Sequence, residues 1–428
     1  MDAPFSPVIF LPGILGSELR DAYDIDAGRV FSSRTLMPVI GRLSDDYERI
    51  ALHPDDHRYE RVEPARVQED RVISLIYREF ILELRHSLSK DPDQPVPVYP
   101  FAYDWRQPLH VTEDRLEAFI QEVIDRTSLM RHYFHSSWIE SRKVHLVGHS
   151  MGGLIISGLL ARKPHVGQRV ARVATLGTPY RGSIEAVAKI CMGTSALDPD
   201  GSSSREREAA RITPALYHLL PSFNGAVKEG VHSLYSPAGW QFGVIETLTR
   251  YLKSYSVKLG GKATQENARE LLADLLAPAA DHRQRLESLS APPGGKSAAD
   301  WLVVVGVSEK TRTHINVGSK DGAPYFEFPS PKARSGDGTV PIEGAVPSFL
   351  SRNNLVAVTK GDFALGEIGQ RLLAVGTGLH AALPSMNLVQ RIVVSHLQGK
   401  QEGGSGGMPM PGVKKSDWQP PGALSQST

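Results

Sequence analysis

Short apolar runs alternate with helix-spaced apolar positions along the first 180 residues. Val8 to Leu11 is an apolar run closed by Pro12-Gly13, which predicts a buried strand entering a turn. Ile73, Ile76, Phe80, Ile81, Leu84 and Leu88 recur at helical spacing, so Arg71 to Ser89 is predicted to bury one helix face. A strand is expected over Val96 to Phe101. Thr112 then suits the N-cap of a helix with Leu116, Phe119, Ile120 and Val123 on one side. Val144 to Val147 is a second buried run, followed directly by helical Leu154 to Ala161. Val170 to Leu176 is the next strand, ending at Gly177-Thr178-Pro179. Strands and helices in this alternation build a parallel, doubly wound sheet.

The alternation stops from Arg181 to Ala299. Helical patterns stand at Ala209 to Leu220 and Glu266 to Leu276, and no strand is expected in between. It resumes with Trp301 to Val307, a Val/Leu run typical of a central strand, then a strand at Asn354 to Thr359 and a helix at Ser385 to Leu397. The expected organisation is one α/β core from 1–179 and 300–398, interrupted by a cap or lid at 180–299. The Gly-, Ser-, Pro- and Lys-rich end, 399–428, reads as a disordered tail.

Composition narrows the classes. The 428 residues carry 48 basic and 47 acidic side chains, a formal net charge of +1, which offers no electrostatic case for nucleic acid. Cys191 is the single cysteine, so an intrachain disulfide is impossible and a cysteine-type zinc site is not indicated. The N-terminus lacks a basic segment followed by an apolar one, and the run ending at Leu15 is too short for a bilayer. The expected location is cytoplasmic, leaving a trimmed signal or a dedicated export route open.

The chemistry lies in Gly148-His149-Ser150-Met151-Gly152, a Gly-x-Ser-x-Gly pattern. It follows an apolar strand and opens a helix, the context of the strained nucleophile elbow of the α/β-hydrolase fold. Ser150 is therefore the candidate nucleophile; the bland alternative is a serine in a Gly-rich surface turn. A serine hydroxyl needs a base to take its proton, and in this fold acid and base follow the serine in that order. His380, in the expected loop after Gly376-Thr377-Gly378-Leu379, is the candidate base, with His396 as the alternative inside a helix. Asp337, between Gly336 and Gly338, is the candidate acid, with Asp362 as the alternative. Acyl transfer also needs two N–H donors for the oxyanion. Met151 would give one amide. The loop Leu11 to Ser17 would give the other, from Ile14 or alternatively Leu15.

Six segments, in order, resemble the lecithin:cholesterol acyltransferase family of α/β-hydrolases. They are Pro12 to Ser17, Tyr103 to Arg106, Gly148 to Gly153, Gly177 to Ser183, Pro214 to Pro221 and Gly336 to Pro341. The resemblance implies Ser150 as nucleophile, Asp337 as acid, His380 as base and oxyanion amides at Ile14 and Met151. It also implies a cap over the site. Leu15, Tyr103, Trp105 and Tyr180 are the candidate substrate-lining residues. Bracing with an internal Asp104–Arg106 interaction is the alternative for the 103–106 stretch. The expected activity is hydrolysis of a lipid or fatty-acyl ester through an acyl-enzyme, of phospholipase, lipase or esterase type, with no metal or organic cofactor. Such a substrate allows transient contact with a lipid surface. Transfer of the acyl group to an alcohol, or a silent binding or effector role, are the alternatives. Eukaryotic members carry a disulfide-bridged lid and a signal peptide; this chain shows neither, so those features are not carried over.

Overall fold

The structure is a computed structural model, and it describes residues 5–23, 29–31, 67–193, 204–228, 233–255, 264–320, 322–363, 378–399 and 407–421. The strands in chain order are β1 (Val8–Leu11), β2 (Ser17–Asp21), β3 (Arg29–Phe31), β4 (Val67–Val72), β5 (Val98–Pro100), β6 (Val144–His149) and β7 (Val170–Leu176). They continue with β8 (Val227–Lys228), β9 (Trp301–Gly306), β10 (Glu309–Thr311), β11 (Ile315–Lys320), β12 (Ala323–Glu327), β13 (Lys332–Gly336) and β14 (Val356–Val358). The main helices are α1 (Ser74–Leu88), α2 (Leu109–Ser128), α3 (Met151–Arg162), α4 (Ile184–Met192), α5 (Ser204–Arg211), α6 (Phe242–Tyr255), α7 (Gln265–Glu287), α8 (Leu379–Ala382) and α9 (Asn387–Gln398).

Six strands form the central sheet in the order β14-β9-β7-β6-β1-β5, and every neighbouring pair is parallel. This is the α/β-hydrolase class of fold, with a doubly wound sheet. Both faces of the sheet are dry, and the side chains divide with the strand period. Ile9, Leu11, Trp301, Val303 and Val305 enter one apolar cluster, whereas Val8, Phe10, Leu302 and Val304 enter the other. Helices α2, α3 and α7 cover the first face, and α1 and α9 cover the second. From β1 the chain goes to β5 on one side, then returns to β6 on the other. The carboxyl ends of β1 and β6 therefore flank a topological switch point, where α/β sheets open a ligand crevice.

Several elements depart from the sequence reading. Helix α2 begins at Leu109 after Pro108, so Thr112 lies inside its first turn and is not the N-cap. The expected helix over Ala209 to Leu220 is broken. Helix α5 stops at Arg211, and Thr213 is extended (φ −109°, ψ 101°) ahead of Pro214, whose ring disfavours α geometry in the residue before it. Helix α7 runs through Pro278 to Glu287. Proline there forfeits one N–H bond, while Leu271, Leu272, Leu275, Leu276 and Leu286 stay buried against the core. This helix packs on α2 and α3, so that part of 180–299 shares the layer covering the sheet. A short strand, β8, interrupts the expected strandless stretch and pairs in parallel with β11. The expectation of a disordered tail is corrected for 407–421. Met408 pairs with Ala357 of β14, Met410 is buried, and Trp418 Nε1 donates to Leu355 O at 2.8 Å. The rest of 399–428, apart from Gly399, lies outside the described residues.

Candidate active site

Ser150 sits where β6 turns into α3, at the switch point. Its backbone is left-handed in φ (φ 52°, ψ −123°), a conformation that costs a non-glycine residue about 1–3 kcal/mol. Neighbouring groups hold it there. Ser150 N donates to Leu176 O at 2.8 Å, and Ser150 O accepts from Gly153 N at 3.1 Å and Thr178 Oγ1 at 3.0 Å. Close packing dictates the glycine two residues on: a Cβ at Gly152 would lie 2.5 Å from Leu11 O and 2.7 Å from Pro12 O. The helix start and the β1 loop can therefore lie backbone to backbone.

His380 Nε2 lies 3.0 Å from Ser150 Oγ, and its Nδ1 lies 2.7 Å from Asp337 Oδ2. A carboxylate can only accept, so the neutral ring carries its proton on Nδ1, leaving the Nε2 lone pair to face the serine hydroxyl. Asp337 follows β13, is buried, and has its second oxygen filled by Thr339 N (3.0 Å) and Val340 N (2.6 Å). His380 N also donates to Asp337 O at 2.9 Å, so acid and imidazole are linked by backbone as well as side chain. His380 stands in the short helical turn α8, not in a plain loop.

The alternatives are occupied elsewhere. Asp362 Oδ2 accepts from Thr359 N (2.7 Å) and Thr359 Oγ1 (2.9 Å), capping a helical turn. His396 is buried, has Nε2 3.0 Å from Val173 O, and has its pKa pushed down to about 4, chiefly by burial.

The β1–β2 loop lies directly against the serine: a Cβ at Gly13 would be 2.9 Å from Ser150 Cβ and 3.5 Å from its Oγ. In the same loop Leu15 has φ 60°, a left-handed value uncommon outside glycine. Among the described residues, no hydrogen bond engages the amides of Ile14, Leu15 or Met151, whereas Gly13 N donates to Tyr77 Oη at 3.1 Å. The Met151 amide also belongs to the first turn of α3, whose N–H groups lack intrahelical acceptors.

The structure places three of the four substrate-lining candidates inside the protein. Tyr103, Trp105 and Tyr180 are 0%, 3% and 2% exposed, and their polar atoms are spent inside the protein. Tyr103 Oη donates to Pro12 O (2.8 Å) and Trp105 Nε1 to Ser17 O (3.1 Å), so both brace the β1–β2 loop from behind. Tyr180 Oη meets Thr175 Oγ1 (3.0 Å) and Trp301 Nε1 (3.1 Å). The Asp104–Arg106 pair is present and buried, with guanidinium contacts at 2.8 and 2.7 Å. Of the four, only Leu15, in the β1–β2 loop, keeps partial exposure.

Two buried residues beside the site escape sequence reasoning. His149 Nδ1 lies 2.9 Å from Tyr77 Oη, and His149 Nε2 lies 2.9 Å from His380 O. Burial, then the nearby His380, pushes the His149 pKa down to about 3, so the ring is neutral. Its place inside the Gly-x-Ser-x-Gly pattern was a usable signal; Tyr77 carried none. Among the described residues, no cluster of His, Cys, Asp and Glu could hold a metal ion, and no helix is long and apolar enough to cross a membrane.

A family model described as lecithin:cholesterol acyltransferase matches residues 92–268. The chain resembles the lecithin:cholesterol acyltransferase family. The matched segment contains Ser150 and Met151, while Ile14, Asp337 and His380 fall outside it. No curated protein matches by sequence. Among solved structures, the chain is similar to one described as the crystal structure of the Tle4-Tli4 complex, at 17% identity and a TM-score of 0.58, covering 81% of this chain and 89% of that one. At that identity the likeness bears on the fold alone. A Bacillus licheniformis lipase, BlEst2 in mature form, overlays more loosely: 15% identity, TM-score 0.24, and 63% and 80% of the two chains.

Proposed function

We propose that the protein is a serine-dependent acyl-ester hydrolase acting on a lipid or fatty-acyl ester. The observation that carries this reading is His380 bridging Ser150 Oγ and Asp337 Oδ2 at 3.0 and 2.7 Å beneath a strained elbow. The family resemblance directs the substrate toward lipid acyl esters. Ser150 Oγ attacks the ester carbonyl as His380 Nε2 takes its proton. Asp337 keeps the imidazole in the Nδ1–H tautomer and stabilises the imidazolium. The Ile14 and Met151 amides hold the oxyanion, an arrangement in which losing one donor typically costs ~10²–10³ in rate. His380 then protonates the departing alcohol, and water repeats the sequence on the acyl-enzyme.

The elements between β7 and α7 form the cap in this reading, covering the carboxyl end of the sheet. A lipidomic product profile of wild type and Ser150→Ala is the test. Free fatty acid and deacylated lipid should appear only with the wild type. Equal products from both proteins would remove Ser150 from the chemistry. Acyl transfer is the second reading, favoured by the family description. Adding a long-chain alcohol should then divert product from free acid to ester.

A further inference from the structure

Tyr77 and His149 complete a hydrogen-bonded chain whose two ends lie on the two halves of the catalytic apparatus. Gly13 N–H donates to Tyr77 Oη (3.1 Å), Tyr77 Oη meets His149 Nδ1 (2.9 Å), and His149 Nε2 meets the main-chain oxygen of His380 (2.9 Å). The direction is forced. A carbonyl oxygen only accepts, so His149 carries its proton on Nε2. The neutral ring then has an acceptor at Nδ1, so Tyr77 must donate to it. Tyr77 Oη, its proton committed to His149, accepts from Gly13 N–H with a lone pair. All donors in this chain are satisfied, and both side chains are buried. The rings of His149 and His380 lie 5.1 Å apart, and those of Tyr77 and His149 5.7 Å apart.

Resting on the hydrolase reading above, we propose that Tyr77 and His149 are positioning residues that set the oxyanion loop and the general base to one another. Through Gly13, Tyr77 fixes the start of the loop that carries Ile14 and Leu15. Through His380 O, His149 fixes the backbone that aims the imidazole at Ser150. The chain also disfavours a charge on His149. A protonated ring would donate from both nitrogens. Tyr77 Oη would then face a donor at Gly13 and another at Nδ1, with no acceptor for its own proton. His149 thus stays neutral beside a His380 that becomes cationic in each cycle. Burial of the ring acts in the same sense.

The test measures kcat and KM for p-nitrophenyl butyrate hydrolysis, the rate of inactivation by a fluorophosphonate, and thermal midpoints. The proteins are wild type, Tyr77→Phe, His149→Gln, His149→Leu and the Tyr77→Phe/His149→Leu double variant. Tyr77→Phe should lose about tenfold in kcat and in inactivation rate, with KM little changed, because displacements well under 1 Å act on a step where 1 Å can cost ~10². The Gln amide at 149 can still donate to His380 O, so His149→Gln should keep most of the rate that His149→Leu loses. The double variant should be no slower than its slower parent, since one chain is broken either way. A folded Tyr77→Phe with wild-type kcat and inactivation rate would overturn the proposal, as would losses that multiply in the double variant. If Tyr77→Phe does not fold, the Gln–Leu pair decides: equal rates overturn it. A wild type inert to both probes would overturn the hydrolase reading as well, whereas a reactive wild type matched by its variants overturns this inference alone.

Discussion

Ser150 spends backbone energy to present its hydroxyl, and Leu176, Gly153 and Thr178 hold it in place. The partners of His380 then divide the remaining roles. Asp337→Asn should keep the fold but lower kcat by ~10⁴, because the imidazole would face an amide and settle in the wrong tautomer. Asp362→Asn should weaken only the cap at Thr359, at a cost of about 1 kcal/mol, with kcat unchanged. Steady-state kinetics on the two variants separates these carboxylates. Ser150, Asp337 and His380 were legible because the elbow context and the chain order of the fold leave few choices. Tyr77 and His149 were not legible as a pair, because they meet across 72 residues of sequence through tertiary packing. The burial of Tyr103, Trp105 and Tyr180 was not legible for a related reason. Position near a strand's carboxyl end does not decide whether a ring faces the crevice or the core, and all three face the core.

Among the elements, α3 approaches β1 most closely at Gly152, and in the proposed mechanism this contact sets the Met151 amide against the β1 loop. Gly152→Ala would drive a methyl into Leu11 O and Pro12 O, both backbone atoms that cannot rotate away. The expected outcome is a loss of about 1–3 kcal/mol in unfolding free energy, together with a fall in kcat as the Met151 amide moves from the β1 loop. Urea unfolding and kinetics on one preparation check both. The central strands were readable because buried parallel strands are rich in Val, Leu and Ile, continuously so in β1 and β9 and with a few polar interruptions in β6 and β7. Strands β10 to β13 were missed because they are mostly polar on their exposed positions and pair outside the main sheet, β10 with β13 and β11 with β12 and β8. The break at Thr213 was available in the sequence, since a residue before proline leaves the helical region. The packing of 407–421 was not, because a Gly- and Pro-rich segment has little apolar pattern, and only the sheet edge gives Met408 and Met410 a place.

For the whole molecule, burial of histidines sets the acid limit. His145, His149 and His282 have pKa values pushed down to about 3, and His396 to about 4, in each case chiefly by burial. The unfolded chain binds these protons near pH 6.5 while the folded protein does not. The stability is therefore complete above about pH 6.5 and is lost as pH falls toward 4 and 3. Each histidine contributes a slope of about 1.4 kcal/mol per pH unit in that window. Glu113 acts in the opposite sense, since burial raises its carboxyl and the folded state takes up that proton first. Burial also holds His218 well below its usual value, so the lowered histidines outnumber that one carboxyl and the urea midpoint should fall continuously from pH 7 to pH 5. A flat midpoint over that range would mean the histidines titrate alike in both states.

In the proposed mechanism everything turns on Ser150 as a nucleophile activated by His380. Incubation with a fluorophosphonate, followed by peptide mapping by mass spectrometry, decides whether it is one. One adduct is expected, on the peptide containing Ser150, absent from Ser150→Ala and formed far more slowly in His380→Ala. An unlabelled wild type, or an adduct that persists in Ser150→Ala, would contradict it.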